Sequence, residues 1–344
     1  MTALPTTSLA EALNRDCVCQ TLDTERLQQQ WQADPALSSV NESILSQRPH
    51  LFSATSVFIS QAQYQQMQAL VSAVEQVVDL PAYRHTVLDD APAIAQRDNP
   101  TRGVFLGYDF HLSPEGVRLI EINTNAGGAL LNTFLARAQT ACCQDMAWAS
   151  AANLQLANLE QTFFEMFNQE WQRQRGTQPL RQIAIIDDEP NNQYLYPEFQ
   201  LSQQLFQSFG MQAVVIDASE LTWRDGKLWA HERPIDLVYN RLTDFYLEDD
   251  AHQALKIAYE ANAVVLTPHP QAHALYANKH NLVRLSNAQS LTQLGINEAI
   301  QQTLLNTIPK TETVNPAKAY DLWARRKQLF FKPWAGFGGR AAYR

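Results

Sequence analysis

One stretch of this sequence admits few folds: Gly107-Tyr108-Asp109 through Ile122-Asn123-Thr124-Asn125 reads as a β-hairpin. Leu106, Tyr108, Phe110 and Leu112 before the turn, and Ile120 and Ile122 after it, recur at the strand period and form one apolar face. In Ser113-Pro114-Glu115-Gly116-Val117, Pro sets the φ of a type I turn and Gly supplies the left-handed residue after it. That pattern predicts a three-residue loop closed by a G1 bulge. It pairs Ser113 with Val117 and sets Asp109 directly across from Glu121, with Asn123 on the same non-core face. Opposed carboxylates have Cβ atoms about 5 Å apart. They repel unless one is protonated or a cation lies between them. A hard, oxygen-seeking ion such as Mg²⁺ is the simplest resolution, so Asp109, Glu121 and Asn123 are candidate metal ligands.

The chain has 344 residues, room for two or three domains, and its 45% hydrophobic and 18% charged composition is that of a globular protein. A formal charge of −9 with no long basic stripe argues against a nucleic-acid binder. Cys17-Val18-Cys19 and Cys142-Cys143 have neither zinc-knuckle spacing nor the look of a disulfide framework. Met1-Thr2-Ala3-Leu4-Pro5 lacks the basic and apolar regions of a signal peptide, and no apolar run is long enough for a membrane span. A cytoplasmic protein with small-molecule partners is the expectation.

Residues 1–100 read as mostly helical, clearest at 61–78, where Tyr64, Met67, Leu70, Val71, Val74 and Val77 fall near helical spacing and Pro81 lies just beyond. Helical patterns recur at 129–139 and 151–173. From there the character changes. Apolar strands at 183–187, 213–217, 237–240 and 264–266 alternate with helices at 197–209 and 252–261, and Trp223–Trp229 forms a small hairpin. Such alternation implies a small parallel sheet covered by helices. No Gly-x-Gly-x-x-Gly follows the first strand, which removes the main support for a dinucleotide-binding reading. Residues 271–344 read as helices at 279–286 and near 316–326, then a strand at 329–332.

The chain closes on a second strong signal, Lys332-Pro333-Trp334-Ala335-Gly336-Phe337-Gly338-Gly339-Arg340. Gly336, Gly338 and Gly339 permit close backbone approach, and their N–H groups can cradle phosphate oxygens. Lys332 supplies a point charge, and Arg340 is a further phosphate candidate. No Lys-Ser or Lys-Thr follows the glycines, so this is not a Walker loop. The segment resembles the glycine-rich lid of the ATP-grasp superfamily. Asp109 with Glu121-Ile122-Asn123 resembles that superfamily's magnesium site, and Asn278-Lys279-His280-Asn281-Leu282 with Ile308-Pro309-Lys310-Thr311 its stretch between first nucleotide lysine and lid. The similarity to glutathione synthetases is clearest over 278–344 and 103–131.

The metal motif precedes the lid here, the reverse of the ordinary order, so the chain resembles the circularly permuted ATP-grasp proteins. The resemblance implies an α/β fold in four parts. Residues 1–150 are a helical region plus the permuted metal-site part, and 151–180 a helical connector. Residues 181–270 are an α/β domain of the kind preceding the ATP-grasp core, and 271–344 the nucleotide subdomain. It further implies that Lys279, Lys332, Gly336, Gly338, Gly339 and Arg340 contact ATP, and that Asp109, Glu121 and Asn123 hold Mg²⁺. Arg241, in Arg241-Leu242-Thr243-Asp244, resembles the family's substrate-side region, at the sheet edge where open α/β folds place ligand groups. Arg102 and Asn125 flank the hairpin as further candidates. Asp187-Asp188-Glu189 reads as a solvated strand-end loop and His269 as structural.

The chemistry implied is ligation of a carboxylate to an amine through an acyl phosphate, with catalysis by positioning and charge. A lid needs a returning strand and an adenine hinge, which the resemblance places after residue 344. The expectation is therefore a ligase architecture that binds ATP weakly or not at all by itself. Two other readings compete: a catalytically silent scaffold that binds a partner, and a metal-dependent hydrolase or binding protein built on Asp109 and Glu121.

Overall fold

The structure, a computed structural model, describes residues 9–16, 22–35, 37, 48, 50–113, 115–139 and 158–334. The chain divides into two compact units. One, here the hairpin unit, comprises Gln61–Asp98, Leu106–Thr124 and His269–Arg344; the other, the sheet unit, comprises Met1–Ser60, Asn99–Phe105 and Asn125–Pro268. No described helix is long and apolar enough to cross a membrane. The four cysteines and the residues 335–344 lie outside the described residues, and with them the glycine loop.

In the hairpin unit, β1 (Gly107–Ser113) and β2 (Gly116–Asn123) pair antiparallel. Asp109 does face Glu121, but the route to that register differs from the expected one. Ser113 pairs with Gly116 rather than Val117, so the loop is one residue shorter than a three-residue G1 turn. The spare residue appears higher up. Phe110 pairs with Leu119 and Asp109 with Glu121, which leaves Ile120 as a bulge without a partner across the ladder. The bulge shifts the inward phase by one residue. Leu119 and Ile122 are buried, whereas Ile120, assigned to the core by strict alternation, is only half-buried. Gln66, on the helix Gln61–Val78, fixes the shorter turn: its Oε1 accepts the Val117 N–H at 3.2 Å.

That helix buries Leu70, Ala73, Val74, Val77 and Val78 against Leu119 and Ile122, while Tyr64 remains exposed. Pro81 does not stop helical structure but opens the next helix, Pro81–Asp89, since the first turn needs no N–H from it. Two helices that the pattern did not announce, Ala288–Gln293 and Glu298–Thr307, add Leu291 and Leu304 to the same core. Asn287 and Asn297 cap them by accepting from Ser290 N and Ile300 N. The expected strand at 329–332 reduces, among the described residues, to a single bridge at Phe331. Two residues, Leu329 and Phe330, separate it from a 3₁₀ turn at Arg326–Gln328.

The sheet unit contains the anticipated parallel sheet. β3 (Gln182–Asp187), β4 (Gln212–Asp217), β8 (Leu237–Asn240) and β9 (Val265–Thr267) stand in the order β4-β3-β8-β9, all parallel. Helix Tyr196–Ser208 connects β3 to β4, and Gln253–Glu260 connects β8 to β9. A small antiparallel group, β5 (Leu221–Arg224), β6 (Lys227–Ala230) and β7 (Arg233–Pro234), lies in the chain between β4 and β8. β3 is buried along its whole length, as a central strand covered on both faces must be. Its core is aromatic: Phe167, on helix Leu159–Arg175, meets Phe206 and Tyr239 edge-to-face with centroids 4.9 Å apart in each pair.

Candidate functional site

Within the hairpin unit, three residues far apart in sequence converge. Glu121 Oε2 lies 3.3 Å from Lys332 Nζ and 3.5 Å from Lys279 Nζ. Lys332 also donates to the Ile120 carbonyl at 3.3 Å, so the bulged residue presents an acceptor to the lysine. Across the hairpin, Asn123 Nδ2 donates to Asp109 Oδ2 at 3.3 Å. Asp109, Glu121, Asn123, Lys279 and Lys332 thus form one cluster, all partly exposed or half-buried except Asp109, which is exposed.

Its electrostatics are asymmetric. Partial burial and then the charge of Glu121 raise the Asp109 carboxyl above its ordinary range, against Lys332 and the Asn123 amide. Burial pushes Glu121 the same way, but Lys279 and Lys332 outweigh it and hold that carboxyl below its ordinary range. The cation demanded by the opposed carboxylates is therefore supplied, in the free chain, by two ammonium groups. Among the described residues no three His, Cys, Asp or Glu converge as a metal centre. The donor set is nevertheless suited to Mg²⁺: two carboxylates and one amide oxygen, all hard, leave positions for water and phosphate oxygens.

The first lysine is positioned by a network that the sequence did not reveal. A helical turn at Pro270–Ala272 runs into a π-helical turn, His273–Ala277, immediately before Asn278 and Lys279. Glu75 accepts from Tyr276 Oη at 2.8 Å and from Tyr108 Oη at 3.3 Å, tying that turn to β1. Asn281 Nδ2 donates to the carbonyls of Ala274 and Leu275, which the wider turn leaves available. His273 is buried, and burial, then the charge of Lys279, lowers its pKa to about 3. Lys279 N donates to Trp334 O at 3.3 Å, so the approach to the glycine loop is fastened beside the first lysine. Gly336, Gly338, Gly339 and Arg340 themselves lie outside the described residues.

Arg241 and Arg102 belong to the sheet unit. Arg241 directly follows β8, where its N–H donates to Ile186 O at 2.9 Å. Arg241 is buried; its guanidinium donates to Ala126 O at 3.2 Å and leaves Nε without a partner. Gly127 is needed here: a Cβ on it would come 2.7 Å from Arg241 Nη2 and 2.5 Å from Leu195 Cδ1. Asn125 Nδ2 donates to Leu242 O. Asp187, expected to be solvated, is instead buried, and burial raises its carboxyl to about pH 7 despite the Asp188 N–H and the charge of Arg241. The Arg102 side chain is exposed, while its N–H and that of Gly103 donate to the buried Glu170 carboxylate. His269 caps its own turn, accepting from Ala272 N at 3.2 Å, the structural role expected.

The start of helix Ala129–Ala138 follows Gly127-Gly128 and superficially suits an anion. It is already filled. Glu198, 1% exposed, accepts the Leu130 N–H at 3.0 Å and the Leu131 N–H at 2.9 Å.

No protein-family model matches this sequence, and no curated protein does. Among solved structures, the chain is similar to a glutathione synthetase-like effector from Globodera pallida in its apo form. The identity is 14%, the TM-score 0.51, and the match covers 81% of this chain and 71% of that one. At this identity the likeness is one of fold.

Proposed function

We propose that this chain is an ATP- and Mg²⁺-dependent carboxylate–amine ligase of the circularly permuted ATP-grasp type. The observation that carries the reading is the meeting of Glu121 with both Lys279 and Lys332 within 3.5 Å. The resemblance in sequence assigns these residues to one nucleotide, and nothing in a solvated strand requires two lysines on one carboxylate. The fold likeness to a glutathione synthetase-like protein points the same way.

In this reading Asp109, Glu121 and Asn123 would hold Mg²⁺, which neutralises phosphate charge when bound. Lys279 and Lys332 would turn from Glu121 to the phosphate oxygens, helped by the N–H groups at Gly336, Gly338 and Gly339 and by Arg340. Arg241, with an unpartnered Nε, is assigned to the substrate carboxylate, and Arg102 to a second substrate contact. The carboxylate attacks the γ-phosphorus, ADP leaves, and the amine displaces phosphate from the acyl phosphate. Each of the protein's groups binds, orients or takes up charge, and none becomes covalently attached.

One observation favours a second reading, a scaffold that binds a partner without turnover: both lysines are already paired with Glu121 in the free chain. Titration calorimetry with ATP and Mg²⁺, followed by ADP release from mixtures of amino acids and amines, separates the two. Binding with release that falls at least about tenfold in Glu121→Gln supports the ligase, since a charge-assisted contact of this kind is worth about 1.5–3 kcal/mol. Release unaffected by Glu121→Gln refutes the metal assignment, and absence of nucleotide binding leaves the scaffold.

A further inference from the structure

His252 is held between two carboxylates in the sheet unit. Its ring is 2% exposed, with Nε2 2.8 Å from Asp188 Oδ1 and Nδ1 2.7 Å from Asp244 Oδ2. A neutral imidazole has one N–H and one lone pair, so it can satisfy only one of two carboxylates. Both contacts at these lengths require the imidazolium. The three residues come from three places: Asp188 follows β3, Asp244 lies in the loop after β8, and His252 ends the turn Asp250–His252 before helix Gln253–Glu260.

We infer that His252 is a positioning residue whose imidazolium, clamped between Asp188 and Asp244, fixes the 241–252 segment and with it Arg241 at the carboxyl edge of the parallel sheet, and that deprotonation opens the clamp. Arg241 begins this segment at the end of β8, and Leu242 and Leu247 within it are buried. Asp244 Oδ2 also accepts the Asp249 N–H at 2.9 Å, so the same carboxylate closes the loop on itself. The charged groups that act on the ring are all acidic: Asp188 just after β3, Asp217 at the end of β4, and Asp244 from the loop, while Asp249 in its own turn caps that turn by accepting the Ala251 N–H. Among the described residues, the charges shown to act on the ring are these carboxylates, each of which favours its protonated form.

The direction of titration agrees. Burial lowers the His252 pKa, but the hydrogen bonds to Asp188 and Asp244 outweigh it and leave it raised; Asp244 is lowered, its hydrogen bonds with Asp249, Glu248 and His252 outweighing burial. A raised imidazolium stabilises the fold fully below the ordinary histidine value and loses that contribution as pH rises through the native one. A lowered carboxyl loses its contribution only as pH falls through its own native value. The clamp is therefore closed between these limits and opens on the alkaline side.

Two measurements on the full chain test it: ring ¹⁵N titration of His252, and hydrogen exchange of the 242–252 amides across the same pH range. We expect both ring nitrogens protonated at neutral pH, titration above about 6.5, and an inflection in exchange at the same pH, with roughly tenfold loss of protection above it. Asp188→Asn, which changes a half-exposed carboxylate, should move the titration and the inflection down together. His252→Gln should abolish the inflection. A ring titrating at or below about 6.5, or exchange with no inflection where the ring titrates, overturns the clamp. If His252→Gln does not fold, Asp188→Asn decides alone. None of these readouts needs turnover, so their failure is distinct from failure of the ligase reading, on which only the functional weight of Arg241 rests.

Discussion

Asp187 shows how much a single position can differ from its appearance in a sequence. Asp187-Asp188-Glu189 reads as solvated acid, yet the first residue is buried at the end of the central strand and keeps a proton to about pH 7. In the unfolded chain it would lose that proton near 4. The native state therefore binds more protons between these values, and stability falls as pH rises across the window. Asp187→Asn, neutral throughout, should flatten the slope and exceed the parent chain in stability above pH 7, by up to about 4 kcal/mol. Urea titrations at about pH 5 and about pH 8 read the difference; a slope that survives the substitution would show ordinary ionisation. At Lys332 the expectation is different. Lys332→Ala removes one of the two cations beside Glu121, and the proposed nucleotide affinity should drop about tenfold or more. Calorimetry at fixed Mg²⁺ reads it, and unchanged affinity would detach the lysine from the nucleotide.

At the scale of elements, the hairpin separates what pattern can and cannot specify. Turn chemistry and a period of two brought Asp109 opposite Glu121, but the loop is one residue shorter and the difference is absorbed at Ile120. A bulge has no residue signature when the neighbours, Leu119 and Ile120, are both apolar; only packing on the Gln61–Val78 helix chooses between them. The choice is measurable. Leu119→Ala should cost about 2–4 kcal/mol and Ile120→Ala less than about 1.5 kcal/mol, whereas strict alternation demands the reverse order. Gly116→Ala should also destabilise, by about 1 kcal/mol or more, because φ is +117° and the new Cβ would stand 2.7 Å from Gln66 Oε1. Denaturant midpoints order all three. The helices Ala288–Gln293 and Glu298–Thr307 were legible in principle through Asn287 and Asn297, but polar helices of six and ten residues give a weak periodic signal. The parallel strands were legible because a doubly covered strand must be continuously apolar.

On the scale of the whole molecule, neither unit is a continuous run of chain. The segment Asn99–Phe105 belongs to the sheet unit although hairpin-unit residues flank it on both sides. It contributes Val104 to the aromatic core, and the N–H groups of Arg102 and Gly103 satisfy the buried Glu170 carboxylate. A fragment of residues 125–268 keeps every strand of the parallel sheet but leaves that carboxylate with unmet acceptors. It should melt below the intact chain, since the carboxylate keeps Thr267 Oγ1 and Arg173 but loses two charge-assisted N–H bonds worth about 1.5–3 kcal/mol each; calorimetry of the fragment with and without a 99–105 peptide reads the effect. Discontinuity of this kind is invisible to a linear reading, which divides a sequence at its punctuation.

The glycine-led helix at Ala129 has a further lesson in Glu198. By lodging its own carboxylate on the Leu130 and Leu131 amides, the polypeptide carries an internal counter-ion where a free helix start would recruit one from solution. Truncating that side chain to alanine would leave a vacated anion receptor. A sulfate or phosphate ion captured there by the variant would be an artefact of the vacancy, with no bearing on what the native protein binds.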